Sequence, residues 1–321
     1  MAISEEVIHQ ILRGERSISE VARTLGCDYR NLRRRVKATR LRAQGAGFSV
    51  PEVPSPQQSV HDRIEERKRK FRHLKEFKDA TRLTPVQVLL DGPIGILHMG
   101  DPHVDDDGTD VELLERHTDL IRNTEGLFGA NLGDTTNNWV GRLKKLYAEQ
   151  STSESEAWQL AEWFIRRVKW LYFLDGNHGL WSGEADPVKW ILGKNTVHGG
   201  MAARLELKFP NSRSVRINVR HDFRGHSQWN TAHGVAKAAQ LGWRDHILIA
   251  GHKHISGYQI LKDPATGTLS HAIQVASYKT YDRYAEQLGL NDQTISPAVV
   301  TVIDPEARDE AALVTVFHDV D

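Results

Sequence analysis

The chain has 321 residues, 39% hydrophobic and 26% charged, enough for one large core with an appendage. No apolar run approaches the roughly 20 residues that cross a bilayer, and the early acids of "MAISEEVIHQ" leave no apolar stretch for a secretory signal. A single cysteine, Cys27, excludes an internal disulfide framework and sets the expectation of a reducing, cytoplasmic setting.

The formal net charge of zero hides two opposite parts. Residues 1–84 hold 19 Lys and Arg against 11 Asp and Glu, or +8, and the remaining 23 against 31 give −8. A basic arm on an acidic body suggests that the arm meets a polyanion, although a solvated charged helix has the same composition.

Residues 3–43 read as three short helices. "SEEVIHQILRG" opens on a serine cap, places Val7, Ile8, Ile11 and Leu12 on one face and stops at Gly14. "SISEVARTLG" repeats the pattern with Val21, Ala22 and Leu25 before Gly26. "CDYRNLRRRVKATRLRAQ" turns Leu32 and Val36 inward and leaves Arg30, Asn31, Arg33, Arg34, Arg35 and Lys37 outward. A helix, a short glycine-containing turn and a basic helix resemble the helix-turn-helix domains of small DNA-binding proteins, whose second helix enters the major groove. The resemblance implies DNA binding by those six residues, which can serve phosphates as readily as base edges.

"QGAGFSVPEVPSPQQSV" then reads as a linker, rich in Gly, Pro, Ser and Gln. "HDRIEERKRKFRHLKEFKDATRL" reads as a strongly charged helix from about His61 to Leu83. The expected organisation is a DNA-binding domain at 1–44, linker and charged helix at 45–84, and a large domain at 85–321. In that last part strand-length apolar runs recur, from "VQVLL" and "IGILHM" to "AVVTVI" and "ALVTVF". Helical stretches such as "DVELLERHTDLIRN" and "SESEAWQLAEWFIRRV" lie between the earlier ones, which predicts an α/β body.

Five of the apolar runs stop at side chains able to bind metal. "IGILHMG" ends in Asp101-Pro102-His103, "LFGANLG" in Asp134, and "WLYFLDG" in Asn177-His178. "VRINVR" ends in His221 and "HILIAG" in His252-Lys253-His254. In an α/β sheet such ends lie side by side at the crevice where ligands bind. Each piece alone is an ordinary turn, but five in one chain argue for a shared metal site.

The ordered set "GDPH", "GDTTN", "GNHG", "VRH" and "GHKH" resembles the calcineurin-like metallophosphoesterase family over roughly residues 85–321. The resemblance implies an αββα sandwich, two mixed sheets flanked by helices, here with a small all-α helix-turn-helix domain in front. It further implies two divalent ions, with Mn the first choice and Fe, Zn or Mg the alternatives. Asp101, His103 and His254 would hold one, Asn177, His221 and His252 the other, and Asp134 both. His178 would be the unligated imidazole beside the phosphate, oriented by Asp175 unless that residue only serves the turn. Mixed imidazole, carboxylate and amide donors suit Mn, Fe or Zn, and two such ions can clamp the attacking and leaving oxygens of an in-line displacement.

The chain departs from the family pattern in places. Gly179 stands where the family usually has Asp or Glu, Asn137 replaces the commoner Asp, and the Asp-Arg-Gly extension of protein phosphatases is missing, which disfavours a protein phosphatase. His221 and His226 both offer themselves as the fourth ligand; His221 is favoured because it directly follows its strand. Asp105, Asp106 and Asp107 read as a solvated loop capping the next helix. Asn138, Arg142, Arg224 and His226 are candidate substrate contacts, or else surface residues. Trp139, Trp181 and Trp229 could stack bases or simply pack.

The expected activity is that of a metal-dependent phosphodiesterase or nuclease brought to DNA by the arm, a compact layout similar to that of phage or mobile-element proteins. The alternative is a DNA-binding protein whose second domain hydrolyses a small or cyclic phosphodiester or has a regulatory role.

Overall fold

The computed structural model describes residues 3–43, 45, 59–138, 150–179, 187–282, 285–286, 289, 293–318 and 320. Trp139, Arg142, Trp181 and most of the expected linker lie outside them. The chain divides into two compact units, residues 1–70 and 71–321.

The first unit holds α1 (Glu5–Leu12), α2 (Ile18–Leu25) and α3 (Tyr29–Ala43). Ser17 opens α2 in a capping box with Glu20, and Gly26 closes it in the left-handed conformation at φ 60°. Asp28 Oδ1 then accepts the Asn31 N–H at 2.8 Å and starts α3. Ile8, Ile11, Val21, Ala22, Leu32 and Val36 pack into one core. That core consumes the apolar face of each helix, so Arg30, Asn31, Arg33, Arg34, Arg35 and Lys37 are all exposed on α3. The expected charged helix is α4 (Val60–Ala80), which runs across the division between the units.

The second unit is built on β1 (Thr84–Gln87), β2 (Ile94–Met99), β3 (Leu127–Asn131), β4 (Trp170–Leu174), β5 (Val197–Gly199), β6 (Ala202–Lys208), β7 (Ser214–Arg220), β8 (Ile247–Ala250), β9 (Gly257–Lys262), β10 (Leu269–Gln274), β11 (Ala298–Ile303) and β12 (Val314–Phe317). They form two mixed six-stranded sheets, ordered β1-β6-β7-β8-β10-β9 and β12-β11-β2-β3-β4-β5. The helices among the described residues include α5 (Val111–Asn123), α6 (Glu154–Arg167), α7 (Pro187–Ile191), α8 (His233–Leu241) and a short α9 (Glu310–Leu313).

Alternation along each strand decides the layers. Ile94 and Ile96 of β2 meet Leu205, Ile217 and Ile249 between the sheets. Leu97 and Met99, pointing the other way, pack with Leu114 of α5 and Phe164 of α6. Leu248 and Ala272 meet Val235 and Ala239 of α8 on the far face of the other sheet. The result is the four-layer αββα sandwich that the resemblance implied. Among the described residues no helix is long and apolar enough to cross a membrane.

One imidazole is sealed into this core. His98 is fully buried between the hydroxyls of Tyr172, at 2.6 Å, and Thr301, at 2.8 Å. Burial pushes it down to about 3, so it is neutral in the fold but charged in the unfolded chain below its ordinary value. Its contribution to stability is therefore full above about pH 6.5 and is lost as pH falls toward 3. Urea titrations are expected to show a loss of roughly 2–3 kcal/mol from this group between pH 6.5 and 4.5, with a flatter slope in His98→Leu.

Candidate metal centre

The sheet order puts β2, β3 and β4 side by side and parallel, so Asp101, Asp134 and Asn177 leave neighbouring strands at the same edge. In the other sheet β7 and β8 are parallel neighbours and deliver His221 and His252. The two groups meet across the sandwich. The His221 Nδ1–H donates to the Leu132 carbonyl at 2.9 Å, and its Nε2 lies 2.6 Å from Asn177 Oδ1 and 3.1 Å from Asp134 Oδ2. The backbone N–H of His252 donates to Asp101 Oδ2 at 2.5 Å.

Ligand atoms of Asp134, His221 and His252 lie within 4.8 Å of one another and can hold a metal ion. Beside them, His254 Nε2 is 3.3 Å from Asp101 Oδ2, and the His103 ring sits 5.3 Å from that of His254 and 5.1 Å from that of His178. Asp101 and His221 are completely buried, Asp134 and His103 nearly so.

The donor set fits a cation. Asp101 Oδ1 and His103 Nδ1 are buried and make no hydrogen bond among the described residues, which is costly for polar atoms unless something else compensates them. Nε2 of His221 faces two acceptor oxygens. Burial works against protonation of His221, yet Asp101 and Asp134 raise it to about 9. His254 behaves the same way between Asp101 and Asp282. For Asp134 too, burial opposes its charge, but His221, His178 and His103 hold the carboxylate below its usual range. Buried carboxylates here require positive charge nearby.

The backbone is strained at the same place. Among the described residues seven non-glycine residues have positive φ; five belong to these motifs, Asp101 (21°), His103 (39°), Asp134 (50°), His252 (69°) and His254 (52°), and Asn138 (33°) directly follows one. Such conformations cost energy and persist where the surroundings enforce them, typically at functional sites.

Several expectations need correcting. Asp175, offered as the group that orients His178, has its Oδ1 accepting from His198 Nε2 at 2.5 Å. The Nδ1–H of His178 instead donates to the Asn137 carbonyl, and Asn138 Nδ2 donates to the His178 carbonyl at 2.7 Å. Asp105 is not a solvated cap. It is buried and accepts from the Asn137 N–H at 2.8 Å and from Gln150 Nε2 at 3.1 Å; the residue that caps α5 is Asp110. Gly179 has a local reason to lack a side chain, since a Cβ there would lie 2.7 Å from Asp175 Cβ. His226 and Arg224 are exposed on the loop after His221, and Trp229 is 94% exposed.

The sequence reading missed a supporting network. Asp282 sits 3.4 Å from His254 Nδ1, and Lys279 bridges Asp282 at 3.2 Å and Asp106 at 3.0 Å. Asp106 in turn accepts from Asn137 Nδ2 at 2.9 Å. A carboxylate behind a metal-binding imidazole fixes its ring and raises its basicity. No repeated spacing in the sequence marks Asp282 or Lys279 for this task.

No family model matches the chain, and no curated protein matches it. Among solved structures it is similar to the NAD nucleotidase of Haemophilus influenzae, at 10% identity and a TM-score of 0.35, over 70% of this chain and 49% of that one. The chain thus spans about half the length of that nucleotidase. It is also similar to Vps29 of Chaetomium thermophilum (15% identity, TM-score 0.33, 70% of this chain and 95% of that one). A third likeness is to a phosphatase of Mycoplasma pneumoniae (12% identity, TM-score 0.38, 70% and 92%). At such scores these likenesses carry no inference about chemistry.

Proposed function

We propose that the chain is a dinuclear metal-dependent phosphoesterase that hydrolyses phosphodiester bonds, a nuclease brought to DNA by its helical arm. The observation that carries this reading is the convergence of Asp101, His103, Asp134, Asn177, His221, His252 and His254 at one edge of the two sheets, with the strain gathered there. Asp101, His103 and His254 would hold one ion and Asn177, His221 and His252 the other, with Asp134 shared. Mn suits these donors, as do Fe and Zn. Divalent ions would supply Lewis-acid polarisation of the phosphoryl oxygens and neutralise charge that builds up in the displacement.

His178 handles the proton. A carbonyl only accepts, so the bond to Asn137 fixes hydrogen on Nδ1 and leaves Nε2 facing the site, 3.9 Å from Asp134 Oδ2. As an imidazolium, protonated on both nitrogens, the ring can give its Nε2 proton to a leaving alkoxide and be left neutral with its hydrogen on Nδ1. His178→Gln is expected to keep its metal, measured by elemental analysis, and to lose about 10²–10⁴-fold in kcat, the usual weight of a general acid.

The arm supports the choice of polymer. Five exposed cations on α3 suit a phosphate backbone, and Arg224 would contact the substrate beside the centre. End-labelled single- and double-stranded DNA with added Mn²⁺, run beside a simple aryl phosphodiester, is the test. Cleavage of DNA supports the nuclease. Turnover of the aryl ester with intact DNA sinks it and favours a small or cyclic phosphodiester.

A further inference from the structure

We propose that Lys253 is a positioning residue that fastens the loop after His221 to the turn carrying His252 and His254; this rests on the metal-centre reading above. Lys253 lies between two candidate ligands, and its own side chain turns away from them. Nζ donates to the carbonyl of Gly225 at 2.8 Å and that of Phe223 at 3.5 Å, and lies 3.3 Å from Asp222 Oδ1. The ammonium thus sits among three oxygens of the segment that directly follows His221, with the side chain only 18% exposed.

The surroundings leave little choice of side chain. Asp222 Oδ1 is buried without a hydrogen bond among the described residues, so the nearby ammonium compensates its charge. The start of α8 closes the cage: a Cβ on Gly234 would lie 3.0 Å from Lys253 Nζ and 2.5 Å from the Phe223 carbonyl oxygen. Without the ammonium, two carbonyls and a carboxylate face one another with no shared cation between them. The segment they belong to begins at His221, whose ring lies 4.8 Å from that of His252. Lys253 therefore sets the spacing of two imidazoles that come from different strands.

The test uses the full chain, Lys253→Met and, separately, Gly234→Ala, in which the lysine is intact but its cage is crowded. Mn²⁺ binding is followed by calorimetry, with kcat and KM on an aryl phosphodiester and thermal melting of each protein. Lys253→Met is expected to melt close to wild type, bind Mn²⁺ at least 10-fold more weakly and lose kcat with KM little changed, as for residues that support metal ligands. Gly234→Ala is expected to reproduce the weaker Mn²⁺ binding, although alanine is normally the better helix residue. Wild-type Mn²⁺ affinity and kcat in Lys253→Met overturn the proposal. Should that variant fail to fold, wild-type affinity in Gly234→Ala does so. A wild-type chain that binds no Mn²⁺ overturns the metal-centre reading first, and the role of Lys253 with it.

Discussion

Asp134→Ala is expected to lose Mn²⁺ binding and to cut phosphodiester turnover by about 10³-fold or more. That carboxylate is the point where the pieces meet. Oδ1 accepts the His178 N–H at 2.9 Å, and Oδ2 lies 3.1 Å from His221 Nε2. Its backbone N–H donates to the Asp175 carbonyl at 3.1 Å, and its carbonyl accepts from the His103 N–H at 3.0 Å. Removing the side chain cuts its ties to the motifs of His178 and His221 at once, while the two backbone bonds remain. A bound metal contributes several kcal/mol of transition-state charge stabilisation, and about 4 kcal/mol corresponds to 10³-fold in rate. Asp134→Asn separates charge from shape, because the amide oxygen can still accept the His178 N–H. It should retain the fold and bind metal more weakly than wild type. Elemental analysis after dialysis, with turnover of an aryl phosphodiester, decides the matter. Turnover of Asp134→Ala within tenfold of wild type would remove this residue from the chemistry.

The strands that deliver the candidate ligands were legible because they are the buried ones. β2, β3, β4, β7 and β8 lie inside their sheets; all but β7 read as near-continuous apolar runs, β7 alternates as "SVRINVR", and each is followed by a polar tip. β6 and β9 were not read as strands, for two different reasons. β6, "AARLELK", alternates with arginine, glutamate and lysine on its outer side. β9 is a sheet edge with Tyr258 and Ile260 exposed, so its "GYQILK" looks like loop. β5 has three residues and no periodicity to detect.

Side-chain pairing was the less legible layer. Asp175 and His178 are three residues apart and invite a pairing, but β5 brings His198 to Asp175 from 23 residues away. Asp105 stands in an acidic run that reads as solvated, yet the fold closes Asn137 and Gln150 over it. Desolvation then raises its pKa. Asp282 supports His254 from 28 positions downstream. Each of these depends on which loop folds over which strand tip, and spacing along one chain does not encode that.

The sharpest test of the crowding at the centre is Gly176→Ala. Gly176 has φ +78°, and a Cβ there would lie 2.1 Å from Asp134 Oδ1 and 2.4 Å from the Asp134 backbone nitrogen. Gly267 has the same φ of +78° and nothing within 4 Å of an added Cβ. Alanine at either position meets the left-handed backbone, a cost of about 1–2 kcal/mol. Only at Gly176 does it also overpack, by a further 1–3 kcal/mol or so, and displace the carboxylate on which both halves of the centre converge. Gly267→Ala should therefore melt a few degrees below wild type with full activity. Gly176→Ala should melt lower still and lose most of its turnover and Mn²⁺ affinity, because a shift of a few tenths of an ångström in Asp134 is felt by His178 and His221 together. Equal melting temperatures and equal activities for the two variants would mean that the strand tip has room to spare. The close approach of the β4 turn to Asp134 would then have no part in holding the centre.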